Sequence, residues 1–124
     1  MEERLALRLQ MFREGGQAEP RVTDFVAGEL DALAAAGNVV TEETAGMLTS
    51  HLVMALTRLL SGEAIEQFLT DEQVVAELAQ HPEAVASARA VAARAEAALG
   101  AALPESEINF LGMHLAALAQ RSRT

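Results

Sequence analysis

Thr41-Glu42-Glu43-Thr44-Ala45-Gly46-Met47-Leu48-Thr49-Ser50-His51-Leu52-Val53-Met54-Ala55-Leu56-Thr57-Arg58-Leu59-Leu60 decides the fold class. Thr41 has the chemistry of an N-cap, and Glu42 and Glu43 place negative charge in the first turn, against the positive end of a helix dipole. At about 100° per residue, Leu48, Leu52, Ala55 and Leu59 fall in one narrow stripe, the mark of a helix with one buried face. His51 and Arg58 project together, about 60–80° to one side of that stripe. They belong to the rim of a core rather than to its centre. The reading is a long helix to about Ser61, ended by Gly62.

Working outward, the same punctuation recurs. Ala, Leu and Glu dominate, while Gly and Pro stand between periodic stretches. Glu3 to about Arg13 fits a helix through Leu5, Leu9 and Phe12, although Leu5, Leu7, Leu9 and Met11 also alternate as a strand would. Gly15 and Gly16 close it. Pro20 to Ala36 predicts a second helix burying Val22, Phe25, Val26, Leu30 and Leu33 before Gly37 and Asn38. Thr70 or Asp71 can cap a short helix from Glu72 to Ala79, and His81-Pro82 starts an alanine-rich one along Val85, Ala88, Ala92, Ala95 and Leu99. Gly100 ends that helix, and Pro104 opens a last one whose buried face is Ile108, Leu111, Leu115 and Leu118. The expectation is all-α: a compact bundle of five to six helices, with residues 1–16 as an N-terminal helical extension and 17–124 as a single helical domain.

Composition excludes several function classes. The chain has 124 residues, 51% of them hydrophobic, enough for one core, and it contains no cysteine for a disulfide or thiolate metal site. A reducing compartment, the cytoplasm, is the expected location. Charged residues interrupt the N-terminus, so no signal peptide is expected, and no apolar run reaches the length of a membrane span. The net charge is −9, and the nine basic residues are scattered arginines. Without a basic cluster or any tyrosine or tryptophan, direct nucleic-acid binding is not expected. No nucleophile elbow, phosphate-cradling glycine loop or dinucleotide fingerprint occurs, which argues against an enzyme and assigns no catalytic residue and no cofactor.

Chemistry could reside in two of the three histidines. His51 has Arg58 seven residues on, and in the last helix Glu107, His114 and Arg121 follow one another at intervals of seven along the edge of the buried face. A ring at such an edge can be held from inside by one nitrogen and offer the other to a partner. A phosphoryl acceptor needs this, with a neutral ring and nearby arginine to balance the incoming charge. Spacing leaves two readings open: a reactive ring of this kind, or the packed, hydrogen-bonded residue that an edge histidine usually is. A metal site has less support, since no H-x-x-x-H or H-E-x-x-H is present. His81 reads as a cap or turn residue.

Two local strings then carry a resemblance. Ser50-His51-Leu52-Val53-Met54-Ala55-Leu56-Thr57-Arg58 resembles the first signature of the phosphotransferase-system regulation domain (PRD), with its histidine, a small residue four places on and an arginine seven places on. Glu105-Ser106-Glu107-Ile108-Asn109-Phe110-Leu111-Gly112-Met113-His114-Leu115 is similar to the second, an acidic-aliphatic pair followed by an aromatic and a histidine. Ser50 and Met54 depart from the pattern, replacing an aspartate and an aromatic. The resemblance implies a bundle in which two antiparallel helix pairs pack together. It also implies phosphorylation of His51 and His114 by the histidine phosphocarrier protein or an enzyme II component, with Arg58, Glu107 and Arg121 in support, and a homodimer whose assembly the phosphoryl groups alter. Leu5, Leu9 and Phe12 are the candidates for a spare apolar stripe at that dimer. No RNA-binding or helix-turn-helix module accompanies the strings, so action through another polypeptide is expected. The alternative is a dimerisation or protein-binding module that kept the fold without the phosphorylation.

Overall fold

The threonine at position 41 caps as its residue type predicts. In the computed structural model, which describes residues 1–63 and 72–123, the Thr44 amide donates to the Thr41 hydroxyl at 3.3 Å and the Thr41 amide donates to the Thr44 hydroxyl at 2.9 Å. This reciprocal box starts α3 (Glu42–Leu60). The other helices are α1 (Glu3–Glu14), α2 (Pro20–Ala35), α4 (Glu72–Leu78), α5 (Pro82–Leu99) and α6 (Glu105–Ser122). The all-α expectation holds: among the described residues there is no strand. The alternation in residues 5–11 resolves as helix because Leu5 and Leu9, four residues apart, are the pair that is buried. Thr70 and Asp71, the expected caps of α4, lie outside the described residues.

One core joins α1, α2, α3, α5 and α6. Leu5, Val22, Val26, Val53, Leu56 and Ala95 have no measurable exposure, and Leu30 and Leu118 are nearly as deeply placed. Leu5 and Leu9 are therefore not a spare stripe, as the sequence had suggested. They point into the bundle against α2 and α3, and the large exposed apolar side chains of α1 are Leu7 and Met11. Phe12 is half-buried and packs against the same core. On α5 the buried set is Ala88, Val91, Ala92, Ala95 and Leu99; Val91 was missing from the predicted stripe, and Val85 is only half-buried.

Small residues let α5 and α6 form the most extensive helix pair. α4 also approaches α6 closely, where a Cβ on Gly112 would come within 3.2 Å of a Leu78 methyl carbon. Gly100 ends α5 in the left-handed region, φ 78°, with its amide donating to Glu96. Polar contacts fix the remaining orientations. The Arg94 guanidinium on α5 donates twice, at 2.7 Å, to the carboxylate of Glu29 on α2, which is 8% exposed. α3 and α6 run antiparallel: at one end Arg121 donates to the Thr44 carbonyl and the Val39 amide to the Ser122 hydroxyl, and farther along His51 meets Glu107. No helix among the described residues is long and apolar enough to cross a membrane.

Candidate functional site

On α6, Glu107, Phe110 and His114 project within about 60° of one another. Antiparallel packing sets this edge against His51 of α3. The His51 Nε2 lies 2.8 Å from Glu107 Oε2. An ionised carboxylate only accepts hydrogen bonds, so this contact puts a proton on Nε2 and, in the neutral ring, leaves the lone pair on Nδ1. Phe110 stacks on the same imidazole, with ring centroids 3.8 Å apart and planes 15° from parallel. One edge contact and one face contact thus hold the His51 ring. Its side chain keeps 23% of its exposure, and that of Glu107 keeps 12%.

His114 completes the cluster, with ring centroids 5.7 Å from His51 and 4.8 Å from Phe110. Among the described residues neither of its ring nitrogens makes a hydrogen bond. Burial pushes its pKa below the ordinary imidazole value, and the charges of His51 and Arg121 add to that shift. A neutral ring with an unengaged lone pair is the form that can act as a nucleophile.

The sequence-based candidates divide accordingly. His51, Glu107 and His114 come together, and Arg121 is near enough for its charge to act on His114 while it donates to Thr44. Among the described residues Arg58 makes no hydrogen bond or ion pair with either ring. It lies two turns along α3 from His51 and, among the described residues, makes no ion pair. His81 occupies the N-cap of α5 without a capping hydrogen bond; its Nε2 is 3.4 Å from Glu77 instead. Phe110 is the site residue that sequence reasoning passed over. It appeared only as the aromatic of a motif, although its place three residues after Glu107 and four before His114 puts it on their edge of α6.

A second layer was not expected at all. Arg8 of α1 forms an ion pair with Glu42 and donates at 2.7 Å to the hydroxyl of Ser50, the residue preceding His51. The guanidinium of Arg8, donating to Glu42, holds the Glu42 carboxyl below the usual carboxylate range. Glu2 accepts from the Glu42 amide at 2.7 Å, so α1 anchors the start of the helix that carries His51.

Among known families, the model of the PRD domain matches residues 37–118, about two thirds of the chain. The match begins just before α3 and ends within α6, so it contains all four clustered residues and excludes α1. Comparison with curated proteins and with solved structures finds no match.

Proposed function

The chain belongs to the PRD domain family, whose domains are regulatory rather than catalytic, and from this we propose that it is a phosphotransferase-linked regulator that accepts phosphoryl groups at the His51–His114 cluster. One observation carries the reading. Histidines from two motifs far apart in sequence come together at a part-buried edge, with ring centroids 5.7 Å apart, His51 in contact with Glu107 and His114 placed where burial disfavours the charged ring. His114 is the first acceptor, because among the described residues its ring nitrogens make no hydrogen bond. In the transfer, a ring nitrogen of neutral His114 attacks the phosphorus of a donor phosphohistidine. The donor P–N bond breaks and the donor imidazole keeps the electron pair. Arg121 supplies positive charge beside the product.

The output is a change in association, with a second copy or with a partner protein. Each phosphoryl group adds about −1.5 to −2 charges to a surface that is already acidic. Leu7, Met11, Met47 and Met54 supply exposed apolar contact area on α1 and α3.

Phosphoenolpyruvate, enzyme I and the histidine phosphocarrier should together place an acid-labile phosphoryl group on the purified protein. The label should be lost in the His51→Ala, His114→Ala double variant. Full labelling of that variant would show the assignment wrong. No labelling from the phosphocarrier or an enzyme II component would leave a binding module that kept the fold.

A further inference from the structure

We propose that His51 and His114 form a single acceptor that holds one phosphoryl group at a time, each ring closing the other to modification once it is occupied. This rests on the reading of these rings as acceptors and specifies how they act together. The two imidazole centroids are 5.7 Å apart, with planes 29° from parallel. That separation suits repulsion. A group on either ring lies within a few ångströms of the other, and the screening length at physiological salt, about 8 Å, is longer than the separation.

The charge balance permits one dianion and not two. Glu107 already contributes a carboxylate 2.8 Å from His51. Arg121 is the cation that acts on His114, and Arg58 lies two turns along α3 from His51. A first phosphoryl group, about −1.5 to −2, is answered by Arg121 and by the remaining imidazole, which can take up a proton. A second would convert that imidazole from a source of positive charge into another dianion, opposite the first and beside Glu107. Phe110 stacks on His51 and stands 4.8 Å from His114, which hinders the rings from turning apart.

The test uses phosphoramidate, a small donor that needs no docking surface. A ring nitrogen attacks its phosphorus, the P–N bond breaks and ammonia leaves. The chain contains three histidines and neither lysine nor cysteine, so His81→Gln leaves His51 and His114 as its only imidazoles. His81 lies outside the cluster and contacts Glu77. Intact mass at saturation, with the sites mapped, should give one phosphoryl group per native chain, divided between the two rings. The same protein unfolded in urea should take two. The second native addition should be at least about tenfold slower than the first, equivalent to about 1.4 kcal/mol of repulsion.

Two groups per native chain, added as readily as in urea, would overturn the proposal, and so would a native protein in which neither ring reacts. The phosphocarrier assay separates this result from the broader reading. One group from phosphoramidate and none from any protein donor would leave the one-group rule intact and sink the regulatory function. Two groups from phosphoramidate would sink the rule whatever the protein donor does.

Discussion

Glu107 and the burial of His114 give two chemically equivalent side chains different states. Glu107 selects a tautomer of His51 through a 2.8 Å contact, whereas His114 is surrounded so that the charged ring is disfavoured. The second effect predicts a pH dependence of stability. With the folded pKa of His114 depressed, the unfolded chain binds more protons once the pH falls below about 6.5. The ring's contribution to stability is complete above that value and is lost as the pH falls through the folded pKa. The thermal midpoint should therefore drop between about pH 7 and pH 5, and the drop should be smaller in His114→Gln. Parallel pH profiles for the two proteins would acquit His114. Part of this was legible in the sequence: the seven-residue spacing of Glu107 and His114 put both on one edge of a helix. That Glu107 serves His51, a residue of another helix, was not, because helical periodicity fixes a direction around one axis and says nothing about what faces it.

Among the elements, α3 is the one whose start is specified most locally. Its capping box satisfies backbone donors with its own threonines, and Glu2 adds an acceptor from α1. Thr41→Ala should cost about 1 kcal/mol, read as a lower midpoint in thermal or urea unfolding. An unchanged midpoint would mean that water or Glu2 replaces the cap in full. α1 depends on packing more than on local signals. Leu5 is fully enclosed by α2 and α3, so Leu5→Ala should cost about 2–5 kcal/mol. Leu7→Ala, on the exposed side of the same helix, should cost far less. Equal losses would show that α1 does not pack as described. The ends of α1, α2, α3 and α5 were readable because Gly and Pro impose backbone limits wherever they occur. The composition of the α5 stripe was read less well, since Val91 and Ala92 are neighbours on the same broad face and only the fit of α6 determines how much of that face is covered.

For the whole molecule, the contacts of α1 change what its removal should do. Deleting residues 1–16 takes Leu5 and Leu9 out of the core, and Arg8 and Glu2 away from the start of α3. We expect the truncated chain to lose its cooperative thermal transition in circular dichroism, with loss of any self-association as a consequence. A truncated protein that still unfolds cooperatively near the wild-type midpoint would restore residues 1–16 to the status of an appendage. The helical class, most helix boundaries, the absence of thiol chemistry and the two histidine motifs could be read from the residues alone, because these follow from spacing and residue type within one short segment at a time. Packing between helices settled that α1 belongs to the core, that Arg8 reaches Ser50, that Glu107 meets His51, and that Phe110 stacks on the His51 ring. The physical reason is common to all four. Each depends on which face of one helix meets which face of another, and that choice is made by burying apolar area over the whole chain at once, a sum that no single stretch of residues contains.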